Sequence, residues 1–136
     1  MNSDAINTFS ASADSSTAAV PDFSANPSKL LLAVGEPTRW VVMRELLRGK
    51  PLTVRELSAR AGRKANQMGK HLAVLSKLGI VTPVPSPDGD GRKQCYAVPE
   101  NFRRADAEGR LMLDFGVCLL RFGDDVRETV SLTAKD

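Results

Sequence analysis

TVRELSARAGRKANQMGKHLAVLSKLG, residues 53–79, is the stretch whose reading decides the fold. It opens with Thr53-Val54-Arg55-Glu56, a box in which the Thr53 hydroxyl and the Glu56 carboxylate each satisfy a free backbone amide at a helix start. That helix stops at Gly62, and a second helical pattern begins near Lys64 and runs to Gly79. Two short helices with so brief a joint make a helix-turn-helix. On the second helix Ala65, Met68, Leu72 and Leu75 share an apolar face. At roughly 100° per residue, Asn66, Lys70, Ala73 and Lys77 point the other way, with Gln67 on the flank.

Upstream, Lys29–Gly35 reads as a short apolar helix with Ser28 as its N-cap and Gly35 as its stop. Glu36-Pro37-Thr38 then opens a longer helix that ends at Gly49, since proline suits a first helical turn. Its buried face comprises Val42, Leu46 and Leu47, with Met43 and Trp40 nearby, while Arg44 and Arg48 fall on the other side. Downstream, residues 80–84 read as a strand, PSPDGDGRK as a turn-rich loop and residues 94–98 as a second strand. A β-hairpin directly after a helix-turn-helix is a winged-helix arrangement. The expected class is therefore mainly α within α+β, with three to four helices, a hairpin wing and a C-terminal apolar element.

That last element, residues 109–123 (GRLMLDFGVCLLRFG), fits both periods. A helix would bury Leu111, Phe115, Cys118, Leu119 and Phe122; a strand would alternate Leu111, Leu113, Phe115, Val117 and Leu119 against the intervening residues. Gly116 and the Phe-Gly-Val-Cys run favour strand. The run holds more apolar surface than one small core needs, which points to a contact between copies. Residues 1–27, rich in Ser, Ala, Asp and Asn, read as a disordered tail, and 124–136 as a polar one, leaving one domain over 28–123.

Charge is distributed unevenly. Between Arg39 and Lys77 there are ten basic residues against two acidic ones, Glu45 and Glu56; the remainder holds nine basic and fourteen acidic residues. A basic block flanked by acidic tails suits a polyanionic partner. No run reaches the roughly 18–20 apolar residues of a membrane helix, and the N-terminus has neither the basic start nor the apolar core of a signal peptide, so a cytoplasmic location and no membrane partner are expected. Cys95 and Cys118 are far apart and sit among apolar neighbours, as buried reduced thiols do. A thiol switch between them is the less favoured reading. No Ser-His-Asp set, carboxylate pair or phosphate-binding loop appears, which leaves no enzyme chemistry to assign.

The opening LAVGEPTR, the helix pair of residues 54–81 and the hairpin together resemble the ArsR-type winged-helix regulators, with MarR-like regulators sharing the architecture. In that family a Leu-Ala-x-x-x-Pro-Thr-Arg opening precedes a recognition helix carrying a basic residue, His and Leu, then a further Leu and a terminal Gly. Here these are Lys70, His71, Leu72, Leu75 and Gly79. The metal-sensing members place cysteines in the helix before the recognition helix; LTVRELSARAG has none, so no metal site and no cofactor is expected. Gly69 within the recognition helix and Trp40 in the preceding long helix also depart from the pattern.

The resemblance implies a sequence-specific regulator of double-stranded DNA, acting as a homodimer with its recognition helix in the major groove. Asn66 and Gln67 are the types that pair with adenine, while Lys64 and Lys70 reach guanine acceptors or phosphates. Arg39, Arg63, Lys77 and the wing residues Arg92 and Lys93 supply phosphate contacts, and His71 a phosphate contact or a conformational joint. Asp88 and Asp90 make the wing the weaker part of that surface. The rival reading is a winged-helix protein-interaction or dimerisation module that binds no DNA. The sequence identifies no small-molecule effector.

Overall fold

A computed structural model describes residues 23–123 of the chain. The described residues form the helices α1 (Pro27–Gly35), α2 (Pro37–Leu47), α3 (Val54–Ala61) and α4 (Ala65–Lys77). Two small sheets accompany them. One holds β1 (Leu52–Thr53), β2 (Thr82–Pro85) and β3 (Gln94–Ala97) in the order β1-β3-β2; the other holds β4 (Arg103–Ala105), β5 (Leu111–Asp114) and β6 (Leu119–Arg121) in sequence order. All pairings are antiparallel. The architecture is an α+β winged helix-turn-helix, as expected.

Local chemistry fixes the helix ends. Asn26, not Ser28, caps α1: its side chain accepts from the Lys29 amide at 3.2 Å, and Pro27 takes the first helical position. Proline's fixed φ suits the first helical position and its missing amide would have been unbonded there, which moves the start two residues earlier than expected. Glu36 caps α2 by accepting from the Arg39 amide at 2.9 Å. The Thr53/Glu56 box forms in full, with bonds of 2.8 and 3.1 Å. Gly62, at φ +67°, closes α3 and delivers the chain directly into α4.

The core gathers one face from each helix: Leu30, Ala33 and Val34 from α1, Val42, Met43, Leu46 and Leu47 from α2, Leu57 from α3, and Met68, Leu72 and Leu75 from α4. Ala65 departs from expectation; it sits at the first turn of α4 and is exposed. The C-terminal run adopts strand, split into β5 and β6 by a turn at Gly116 (φ +86°). Most of its apolar surface serves the chain's own core, because Leu111, Leu113, Phe115 and Phe122 are buried while Val117 and Leu119 remain exposed.

This second sheet roofs the helices. Trp40 stacks on Phe122 with ring centroids 4.2 Å apart, which accounts for a large aromatic in α2. Phe23, which sequence reading assigned to the tail, is buried against Phe102 and Phe115, so the folded region reaches back to it. Arg103 donates from Nε to the Leu47 carbonyl at 3.0 Å, satisfying an otherwise open acceptor at the end of α2. The remaining tail residues, 1–22 and 124–136, lie outside the described region.

Candidate nucleic-acid interface

The helix-turn-helix consists of α3, the turn Gly62–Lys64 and α4. Between Glu56 and Asp88 the sequence has no acidic residue. The outward face of α4 exposes Asn66, Gln67, Gly69, Lys70, Ala73 and Lys77, while Met68, Leu72 and Leu75 hold the opposite face in the core. Lys64 occupies the N-cap position without a side-chain cap. Asn66 turns its Oδ1 back to accept from the Gln67 amide at 2.9 Å, so a two-bond pairing with adenine requires that carboxamide to rotate outward. A Cβ added at Gly69 would meet nothing within 4 Å, so no packing in the described fold requires glycine there.

Arg63, in the turn, is held in place. Its Nε donates to Thr38 Oγ1 at 2.9 Å, and Thr38 is only 3% exposed. The buried hydroxyl spends one of five guanidinium donors and leaves the others directed by a fixed stem. Thr38 was absent from the sequence-derived set. Its signal is its place at helical spacing with Val42 and Leu46, a polar residue on the buried stripe of α2.

Arg63 joins Glu36, Thr38, Gln67, Lys70 and His71 around an open recess of about 300 Å³. At its edge Arg39 donates from Nη1 to His71 Nδ1 at 3.1 Å and from Nε to the Ala33 carbonyl at 2.6 Å. Because guanidinium only donates, His71 Nδ1 is the acceptor in this contact. His71 thus ties α4 to the start of α2. Burial pushes the Glu36 carboxyl up, but the Arg39 amide, the nearby His71 ring, the Thr38 amide and the Arg39 charge outweigh it and hold the group below its ordinary value. Lys77 lies two turns further along α4, where it lines a second groove together with Arg39.

The wing is electrostatically different. Lys93 Nζ lies 2.9 Å from Asp88 Oδ2, and Arg92 Nε lies 3.3 Å from Asp90 Oδ1. Asp88 Oδ1 also accepts from the Asp90 amide and from the Ser86 hydroxyl. The Asp90 amide, the Ser86 hydroxyl and Lys93, in that order, hold the Asp88 carboxyl well below the usual carboxylate range. The bond to Asp88 in turn raises Lys93. Each wing cation therefore has an acidic partner. By contrast Arg63, Lys64, Lys70 and Lys77 form no ion pair among the described residues.

Cys95 is buried and unbonded; burial pushes the thiol of Cys118 up, which keeps it protonated. Among the described residues no three His, Cys, Asp or Glu side chains gather as metal ligands, and no helix is long and apolar enough to cross a membrane.

A family model described as a helix-turn-helix domain matches residues 34–84, from the end of α1 into β2. The chain matches no curated protein sequence. Among solved structures it is similar to HlyU from Vibrio cholerae N16961, at 28% identity over 55% of this chain and 76% of that one, with a TM-score of 0.48. It is similar also to reduced HlyU from the same organism, at 28% identity over 55% and 74% of the two chains, again with a TM-score of 0.48. The fold and the family-model match agree on a winged helix-turn-helix domain, the architecture of DNA-binding transcriptional regulators.

Proposed function

We propose that this chain is a sequence-specific double-stranded DNA-binding regulator of the ArsR-like type, with α4 in the major groove. One observation carries the reading: α4 and the turn before it present Arg63, Lys64, Lys70 and Lys77 without an acidic partner among the described residues. Lys64, Asn66, Gln67 and Lys70 face base edges, and Arg63, directed by Thr38, takes a backbone phosphate. Gly69 lets the helix backbone approach the groove floor. His71 and Arg39 position α4 rather than touch DNA.

Two copies are needed for two half-sites about one helical turn apart. The outer edge of β6, which pairs with no strand among the described residues, carries Leu119 (50% exposed) with Val117 beside the turn and supports a contact between copies there. The regulator works in the cytoplasm and carries out no catalysis.

Fluorescence anisotropy with fragments selected from the source genome tests the DNA reading. Affinity should fall as salt rises, with a log–log slope of about −0.9 for each phosphate neutralised. Absence of binding to any genomic or random duplex at low salt overturns it.

A further inference from the structure

A second groove lies between α1 and the C-terminal half of α4, away from the helix-turn-helix turn. It encloses about 400 Å³, within the range of small-molecule sites. Its walls are apolar: Leu32 and Ala33 from α1, Val74 and Leu78 from α4 and its cap. Leu32 is 75% exposed and Val74 41%, so the walls are open to solvent. The charged side chains lining it, Lys29, Arg39 and Lys77, are all cationic. Neither lysine has an ion-pair partner among the described residues. Glu36 is the nearest acidic group in sequence, and it is engaged with the Arg39 amide and faces His71 rather than the groove.

We propose that this groove binds a medium-chain aliphatic carboxylate as an effector. An apolar floor takes the alkyl tail, and a cationic rim takes the head. Three cations and no carboxylate among the lining residues disfavour a neutral lipid, and the volume suits a chain of about eight to twelve carbons.

Arg39 couples this groove to the DNA-facing surface. Its Nε is bound to Ala33 and its Nη1 to His71 of α4, while its Nη2 has no hydrogen bond among the described residues. A carboxylate in the groove accepts from the guanidinium fork and draws Nη1 off the His71 ring, because bidentate pairing with a charged acceptor outcompetes a single bond to a ring nitrogen. The joint between α2 and α4 loosens, and a negative charge arrives beside Lys77. Both effects weaken DNA binding. The binding step stands by itself; the coupling step rests on the DNA reading above.

Methyl NMR of the full chain with decanoate, decanol and acetate tests the site. Decanoate should give saturable shifts at Leu32, Val74 and Leu78, at least tenfold tighter than either control. Leu32→Glu should abolish them while the near-ultraviolet signal of Trp40 is unchanged. Equal binding of decanol, shifts that survive L32E, or no saturable shifts would each overturn the site. So would methyl shifts that depend on protein concentration alone, since a second copy would then occupy the groove. Anisotropy with a bound duplex tests the coupling: decanoate should weaken DNA binding at least threefold in the wild type and leave L32E unaffected. Saturable decanoate binding with unchanged DNA affinity overturns the coupling alone. If no duplex is bound at all, the DNA reading fails and the coupling with it, while the methyl shifts still decide the site.

Discussion

The turn before α4 and the tip of the wing carry similar cations in opposite settings. Arg63 leans on a neutral, buried hydroxyl and keeps its full charge for a partner. Arg92 and Lys93 lean on Asp90 and Asp88 within their own loop, where the four charges cancel. The difference teaches that counting basic residues overstates a phosphate-binding surface. What matters is whether each cation is fixed by a neutral group or consumed by an acidic one. A wing lysine reaching for a phosphate gives up its aspartate and brings that aspartate close to the polyanion, so little is gained.

The comparison breaks most visibly on the helix side. Changing Lys64, Asn66 and Lys70 together to alanine should lower affinity for the selected duplex by about a hundredfold or more, because such contacts are worth about 1–3 kcal/mol each. A loss under tenfold in a salt-matched titration would move the interface elsewhere. Thr38→Val should come next. It removes the hydroxyl that directs Arg63 while keeping the volume, and should weaken DNA binding about fivefold, in line with about 1 kcal/mol for a lost hydrogen bond. Adding Arg63→Ala to T38V should then cost less than Arg63→Ala alone; an additive double mutant would show that the two residues act separately.

Gly69→Ala sharpens the contrast between stability and binding. Nothing obstructs a Cβ at this position, so the variant should gain up to about 1 kcal/mol in denaturant unfolding. It should nonetheless bind duplex several-fold more weakly. A variant that is both more stable and equally tight would remove Gly69 from the interface.

The smallest effects belong to the wing. R92A/K93A should change affinity by less than about twofold, whereas D88N/D90N, which frees the same two cations, should raise it by about two- to threefold at low salt. The titration of Asp88 follows with its sign fixed. Its folded-state value lies below the ordinary 3.8, so its contribution to the turn is complete above that value. It is lost only as pH falls through the lower folded value. Carboxyl carbon NMR should therefore find Asp88 still ionised at a pH where a free aspartate is half protonated. Titration at the ordinary value would show that the loop's internal bonds do not form.

Elements made by local chemistry were legible in the sequence. The Thr53/Glu56 box, the Gly62 stop and the buried stripe of α4 each rest on residues within one or two turns of one another. Where two local solutions competed, as at Ser28 and Asn26, proline chemistry chose the earlier one. Long-range partners left little trace. β1 is two residues long and exists because Leu52 and Thr53 pair with Tyr96 and Cys95. The Thr38–Arg63 bond and the Arg103 bond to Leu47 likewise join distant segments. The site is legible to the same extent: the exposed residues of α4 follow from helical period, but the pairing of the wing cations depends on how one loop folds back on itself.

The stacking of Trp40 on Phe122 and the edge-to-face contact of Phe23 with Phe115 also bear on synthesis. A chain leaving the ribosome completes its helix-turn-helix early, yet the last carbonyl of α2 stays an open acceptor until Arg103 of β4 emerges, and its indole stays uncovered until Phe122 does. Translation of the last described residues is therefore the step that closes the hydrophobic surface. Nascent chains from which Val98 but not Phe122 has emerged would present the helix-turn-helix on an unsealed body, a substrate for chaperones.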